Sequence, residues 1–202
     1  ARVLDHAWEG YAAQKNFAAS RARHDWILSL DADEELTPEL QRSISAWKKS
    51  EPQAVGYQFA RRAQYLGRWI RHSGWYPDWK LRLYDRRRAR WGDFKVHESV
   101  VAEGRVDILP GELLHYTCDS FGDHAQRVDR YTTLAAREMF AQGARWSIPG
   151  RTFLPIWTFL DTYVFKLGIL DGYQGLLIAF MASYYVYEKY AKLGRLVKGM
   201  EI

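Results

Sequence analysis

The sequence predicts an α/β domain followed by a helical, apolar C-terminal region, and three observations carry that expectation. Residues 1–120 alternate short strand-like runs with helix-like stretches. The apolar run Trp26-Ile27-Leu28-Ser29-Leu30 ends abruptly in acids, the pattern of a buried strand. Beyond residue 150 the chain changes character, with aromatic and aliphatic side chains dominating before a basic tail.

The elements follow in order. From Tyr11 to Arg23, Ala-rich sequence with Lys and Arg predicts a helix. The strand at Trp26–Leu30 comes next. Thr37-Pro38-Glu39 then opens a second helix, with Thr37 as N-cap and Pro38 at the first helical position. That helix runs to about Lys49, and Glu51-Pro52 stops it. Residues 54–115 are strand-like and turn-rich: Val55, Tyr57 and Phe59 alternate, as do Leu81 and Leu83, and Leu66-Gly67 can turn a hairpin. Phe121 to Gln142 returns to helix, with Gly143 as its stop. Phe153 to Leu170 is apolar but broken by Pro155, Asp161, Lys166 and Gly168. Leu176 to Tyr187 is apolar apart from Ser183, and Lys189, Lys192, Arg195 and Lys198 follow. The expected division is a core over 1–118 and a helical region over 119–202.

Composition narrows the function classes. The 202 residues carry a formal net charge of +5, with 48% hydrophobic and 15% aromatic residues. Such a chain buries a core and is not disordered. The single cysteine, Cys118, rules out a disulfide framework or a Cys-rich zinc module and fits a reducing compartment. No early segment has the order of a signal peptide, and no run of about 18 apolar residues reads as a membrane span. Aromatic faces beside basic residues over 153–198 suit a helix lying in the headgroup region; a buried helix hairpin or an oligomer interface has the same pattern. Acids interleave with the basic residues and no recognised motif occurs, so nucleic acid is not an expected partner.

The strongest chemical signal is Asp31-Ala32-Asp33-Glu34-Glu35, directly after the apolar run. A strand delivers alternate side chains to the same side, so Asp31 and Asp33 can converge on one point. Two hard carboxylates there suit Mg²⁺ or Mn²⁺, which also take substrate phosphates. Decoration of a loop before the Thr37 helix is the plainer alternative, and for Glu34 and Glu35 the expected role is that of N-terminal helix acids. A strand ending in acids also resembles the Walker B element, but the phosphate loop that reading requires does not occur. In Trp75-Tyr76-Pro77-Asp78-Trp79-Lys80, aromatic planes with an acid suit stacking on a sugar ring, or ordinary packing. Arg82 and the cluster Arg86, Arg87, Arg88 and Arg90 can contact a diphosphate or a phosphorylated lipid, or form a solvated basic face.

Five blocks in order, "GYAAQKNFAASRARHDWILSLDADEEL", "HSGWYPDWKLRLYDRRRARW", "KVHESV", "LLHYTCDSFGDHAQRVDRYTTLAA" and "FLDTYVFKLGILDGYQGLLIA", carry a likeness over nearly the whole chain. The sequence resembles the family 2 glycosyltransferases of the GT-A fold, and within them the subgroup that adds a sugar to the inner core of bacterial lipopolysaccharide. The resemblance implies a GT-A-type mixed sheet flanked by helices, with a C-terminal helical extension. It also implies a β-α-β segment ahead of Gly10, so the chain reads as lacking the first nucleotide-binding unit, and unaided activity is in question.

What the resemblance implies for the site is specific. Asp33 would bind the divalent ion, Mg²⁺ or Mn²⁺, that bridges the donor diphosphate, with Asp31 nearer the ribose or the metal's water shell. Gln14, Lys15 and Asn16 match the block lining the donor site, with Lys15 as a cation for phosphate or uracil or simply a solvated helix lysine. Glu98 falls where the late acidic motif lies and is the expected general base, with Asp93 close enough to compete. His97 is an acceptor contact, a further metal ligand, or a hydrogen-bonded structural histidine. Trp75, Tyr76 and Asp78 lie on the acceptor and donor-sugar side. The implied reaction is metal-assisted, inverting transfer of a hexose, glucose by the resemblance, from a UDP-sugar to a lipid-linked glycan. The expected setting is the cytoplasmic face of the bacterial inner membrane, with peripheral contact, and both acceptor and membrane are anionic partners for a basic chain. The alternatives are a family 2 transferase with a protein, polyprenyl phosphate or capsular glycan acceptor, and an inactive remnant that docks on membrane or partner through 153–198.

Overall fold

The computed structural model describes residues 3–92, 99–118, 120–144 and 148–202. The elements are α1 (Tyr11–Ser20), β1 (Trp26–Leu28), β2 (Glu34–Leu36), α2 (Pro38–Trp47), β3 (Gly56–Tyr65), β4 (Arg68–Trp69) and β5 (Asp78–Asp85). After them come β6 (Ala89–Gly92), β7 (Ser99–Ala102), β8 (Val106–Cys118), α3 (Phe121–Ala141), α4 (Ile148–Leu160) and α5 (Gly172–Val197). A π-helical turn, Asp161–Phe165, and a 3-10 turn, Gly168–Asp171, join α4 to α5. The chain divides into two compact units, Ala1–Arg62 with Pro77–His115, and Ala63–Tyr76 with Tyr116–Ile202.

The main sheet has the order β1-β5-β3-β8-β2, and β4 pairs with the end of β3. The β1–β5, β5–β3 and β8–β2 pairs are antiparallel. Strands β3 and β8 run the same way, because Val55 N–H donates to Arg105 O near one end and Leu66 N–H to Cys118 O near the other. The sheet is therefore mixed, as expected. Strands β6 and β7 form a separate antiparallel hairpin.

In the first unit the sheet is covered on both faces. Neighbouring residues on a strand point to opposite sides, and β5 shows it. Leu83 packs with Leu40 of α2, Tyr57, Phe59 and Leu113. Tyr84 packs with Ala12 of α1, Ala89 and Trp91. One helix thus seals each face, the layering of an α/β domain.

The start of α2 is fastened to β8. Thr37 Oγ1 accepts the Leu40 N–H at 3.3 Å, the cap its sequence predicts. The same hydroxyl donates to Glu112 O at 2.9 Å and accepts Glu112 N–H at 3.1 Å. So close an approach needs a residue without a side chain, and Gly111, at φ +106°, supplies it.

The second unit is mostly helical. Leu66 and Gly67, at φ 48° and 78°, turn the β3–β4 hairpin as the sequence predicts. Ser120 caps α3, its hydroxyl accepting Asp123 N–H at 3.1 Å, and Gly143 follows its end at φ 74°. Tyr65, Ile70, Cys118 and Ile178 form the core between hairpin and helices. Buried Lys192 of α5 reaches Asp129 Oδ1 (2.6 Å), Thr132 Oγ1 (2.9 Å) and Thr133 Oγ1 (2.9 Å) on α3, so its charge is matched where it is buried.

Two expectations are corrected. The apolar run is strand only over Trp26–Leu28, and Asp31 and Asp33 lie where the chain turns between β1 and β2. Glu34 and Glu35 are not helix acids: they lie in β2, paired with His115 and Leu114 of β8.

A methyl group at position 111 would sit 2.6 Å from Leu40 Cα. Gly111→Ala is expected to cost about 3 kcal/mol, from positive-φ strain of about 1–2 kcal/mol and overpacking of about 1–3 kcal/mol. Urea unfolding should show it as a lower midpoint at unchanged slope.

Candidate active site

The acidic turn is shaped by one carboxylate that the sequence had assigned elsewhere. Glu34, whose side chain is 0% exposed, accepts Asp31 N–H on Oε2 at 3.0 Å. In return its own N–H donates to Asp31 O at 3.1 Å. On its other oxygen, Oε1, it takes Arg82 at 2.6 Å and Arg61 at 3.4 Å. A carboxylate removed from water requires such partners, and two guanidinium groups provide them.

From that centre the ion pairs extend both ways. Arg82 donates to Asp31 Oδ2 at 2.7 Å, and Lys15 pairs with Asp31 Oδ1 at 2.8 Å. Arg61 donates to Asp78 Oδ2 at 2.7 Å, and Lys80 pairs with Asp78 Oδ1 at 2.8 Å. Strand geometry produces the line: Asp78, Lys80 and Arg82 alternate on β5, and Arg61 is the register partner of Asp78. Charges alternate in sign along the whole row from Lys15 to Lys80.

The turn does not bring Asp31 and Asp33 to one point. Both oxygens of Asp31 are engaged by cations, whereas Asp33, 52% exposed, meets His115 Nε2 at 3.2 Å. Burial alone would raise Asp31; the hydrogen bond from Lys15 and the charges of Arg82 and Lys15 together outweigh it and hold its carboxyl below the usual carboxylate range. His115 is pushed down, first by burial and then by the Arg61 charge, against the opposing pull of Asp33 and Glu34. That direction favours the neutral imidazole, the form that serves as a metal ligand.

Helix α1 supplies the wall of a cleft of about 620 Å³, within the size range of ligand sites. Gln14, Lys15, Trp26, Asp31 and the exposed aromatics Trp8 and Tyr11 line it. The Lys15 ammonium also lies 4.1 Å from the centre of the Trp91 ring. Of the three block residues, Gln14 and Lys15 face the cleft and Asn16 turns away. Asn16 Nδ2 donates to Trp91 O at 2.9 Å while its Oδ1 accepts Trp91 N–H at 3.0 Å, fastening α1 to β6.

The remaining expected residues fall in different places. Asp78 belongs to the row of charges in the first unit, and Trp75 and Tyr76 belong to the second. There the Trp75 ring meets Tyr65 edge-on at 5.5 Å and His124 at 6.3 Å, a packing role. His97, Glu98 and Asp93 lie outside the described residues. Arg82 is buried within the ion row. Arg86 donates to Ala19 O at 2.9 Å and Ala22 O at 3.1 Å, satisfying the carbonyls at the end of α1. Arg87 pairs with Asp85 at 2.7 Å.

Among the described residues no three His, Cys, Asp or Glu side chains gather as a metal-binding group. Exposed Asp33 offers a hard carboxylate oxygen, and the imidazole of His115 lies beside it. That donor set fits an ion that completes its shell with water and phosphate oxygens. Asp31, already held by cations, acts differently and fixes the position of Lys15.

Four residues of this site escaped the sequence reading: Glu34, Arg61, Trp91 and His115. Glu34, Trp91 and His115 stand within the quoted blocks and Arg61 does not, but bringing the four together needed the sheet register. Removing one partner of a buried pair costs about 3–5 kcal/mol, so Glu34→Ala is expected to unfold at markedly lower urea, with Glu34→Gln recovering part of the loss.

Known proteins share this sequence pattern along its length. The family model described as Glycosyl transferase family 2 matches residues 1–102. The lipopolysaccharide core biosynthesis glycosyltransferase LpsC of Rhizobium meliloti (strain 1021) is 28% identical over 203 residues, covering 96% of this chain and 75% of its own length. An uncharacterized glycosyltransferase of Rickettsia typhi is 28% identical over 207 residues, covering 97% of this chain and 71% of its own. Another, from Rickettsia prowazekii, is 28% identical over 204 residues, covering 96% and 70%. A mixed sheet flanked by helices, a cleft walled by α1 and the acidic turn, and a family match over half the chain agree: the chain belongs to glycosyltransferase family 2, a family of GT-A-fold transferases.

Proposed function

We propose that this chain transfers a hexose, glucose by our assignment, from a UDP-sugar to a lipopolysaccharide inner-core acceptor, with inversion at the anomeric carbon. The observation that carries this reading is the cleft itself: a lysine held in place by Asp31 faces an open space of nucleotide size beside the Asp33–His115 pair. The choice of an inner-core acceptor follows LpsC, a lipopolysaccharide core biosynthesis glycosyltransferase.

Each residue has a role in this reading. Trp8 and Tyr11, exposed at the rim, offer faces for the base, beside Gln14, whose amide is held by His6. Lys15 meets the diphosphate, and Asp31 keeps that ammonium extended so that binding does not have to order it. Asp33 and His115 would hold Mg²⁺ or Mn²⁺. The ion, when bound, supplies Lewis-acid stabilisation of the charge on the departing diphosphate. Glu98, with Asp93 as the competing choice, accepts the proton of the acceptor hydroxyl as its oxygen attacks the anomeric carbon, and attack opposite the leaving group inverts the centre. His97 and Asp78 serve the acceptor sugar. The enzyme works at the cytoplasmic face of the inner membrane, in peripheral contact with lipid, where its acceptor is presented.

Three measurements test the reading on the complete gene product. Manganese-dependent release of UDP from UDP-glucose should fall on the order of 100-fold or more in Asp33→Ala. Donor affinity should weaken about 10–100-fold in Lys15→Met, as expected for loss of a charge-assisted contact, with a smaller change at saturating donor. Product analysis should show a β-linkage from the α-linked donor. Absence of donor turnover in the wild type would overturn the transferase reading; turnover with a protein or polyprenyl phosphate acceptor alone would reassign the acceptor.

A further inference from the structure

The second unit carries an apolar surface that the transfer reaction does not use. Along α5, Tyr173, Leu176, Phe180 and Tyr184 recur at three- and four-residue spacing on the exposed side. Along α4 and the π-helical turn, Phe153, Trp157, Leu160 and Val164 do the same. Between them, Phe165, Leu167, Ile169 and Leu170 stand out at the elbow, with Phe165 65% exposed. A soluble surface rarely exposes so continuous an apolar run without a partner.

The elbow is built to be rigid. Leu167 sits at φ 55° and Ser73 at φ 59°, both left-handed, and the π-helical turn adjoins them. Asp171, 1% exposed, accepts Arg71 N–H at 3.1 Å, His72 N–H at 3.0 Å and the Ser73 hydroxyl at 3.1 Å. Ser73 N–H in turn donates to Lys166 O at 2.8 Å. Gly175 lets the Gly168 carbonyl press against the first turn of α5, where any side chain would collide. No single described helix is long and apolar enough to cross a membrane; Pro149–Phe165 and Gly168–Val197 together have the length and composition of a span but are bent by 70°, as in a re-entrant loop.

Exposed cations ring this tip. Arg68 lies against it, donating to Leu170 O at 3.2 Å, and Arg71 and Lys166 are exposed on the same segments. Asp161, the acid beside them, is paired with Lys166 at 2.6 Å, and Asp171 is sealed inside. We propose that the elbow over residues 157–176 is a wedge that enters one leaflet of an anionic bilayer, Phe165, Ile169 and Leu170 below the headgroups and Arg68, Arg71 and Lys166 among them. A second copy fits less well, because a two-fold contact on this face would set the cationic ring against itself. The wedge rests on the membrane-surface part of the proposed function and specifies how contact is made: inserted, and not crossing.

The test is flotation of the full chain with phosphatidylethanolamine–phosphatidylglycerol vesicles, beside neutral phosphatidylcholine vesicles. The wild type should float with the anionic vesicles. Leu170→Glu and Ile169→Glu should each weaken binding at least about tenfold, while UDP release in solution and the unfolding midpoint stay unchanged. Arg68→Glu should weaken it and flatten its salt dependence. A fluorophore on Leu170→Cys, in a Cys118→Ser background, should shift to the blue on binding and be quenched by nitroxides on the acyl chains. Equal binding by Leu170→Glu would overturn the wedge and leave peripheral contact standing. Failure of the wild type to float would overturn both and leave the transferase reading to UDP release. Self-association of the free chain that Leu170→Glu abolishes, without vesicle binding, would make the face a copy interface and overturn the proposal.

Discussion

The first unit depends on a charge that has no water. With the Glu34 side chain closed off from solvent, its carboxylate must find cations and N–H groups nearby or the fold loses several kcal/mol. Arg82 and Arg61 meet one oxygen and the backbone of Asp31 meets the other. Those three contacts decide much else. The Asp31 contact closes the acidic turn and so directs Asp33 outward. Arg82, drawn inward, is left with a second donor direction that captures Asp31, and Asp31 in turn captures Lys15. The presentation of a lysine to the cleft is thus the far end of a compensation that begins in the core.

The second unit repeats the device with different chemistry. Asp171 is as enclosed as Glu34, but backbone N–H groups, a hydroxyl and His72 surround it in place of guanidinium groups. Amide donors give direction without mobility, and the result is a fixed elbow carrying a left-handed leucine. Lys192 is the converse case, a buried ammonium met by oxygens of α3. In each place a single buried charge sets the relation between elements that hydrophobic packing alone would leave free to slide.

Local chemistry made much of this visible in the sequence. Thr37-Pro38 starts α2, Leu66-Gly67 turns a hairpin and Gly143 ends α3, because caps and positive-φ turns depend on neighbours in sequence. The order of motifs carried the family and the α/β class. What could not be read was pairing across the sheet. Glu34 looked like a helix acid because its partners, Arg61 and Arg82, stand 27 and 48 residues away and only the register brings them together. Asp31 and Asp33 looked like a pair because alternation assumes a strand, and the buried Glu34 folds that segment into a turn. Trp75 offered both a sugar platform and ordinary packing, and only the fold places its ring against Tyr65 and His124.

The Asn16 clasp has a mechanical side. Asn16 grips the backbone of Trp91 through two hydrogen bonds, and Gly92, the next residue, is the register partner of Ser99. In sequence, Asp93, His97 and Glu98 fall between those two residues. Lys15, facing the cleft, is the neighbour of Asn16 on the same helix. Helix α1 thus presents Lys15 to the cleft while the next residue holds the β6–β7 hairpin through Trp91, itself buried beside Ala12. One helix therefore ties the wall of the cleft to that hairpin, so the two are positioned together.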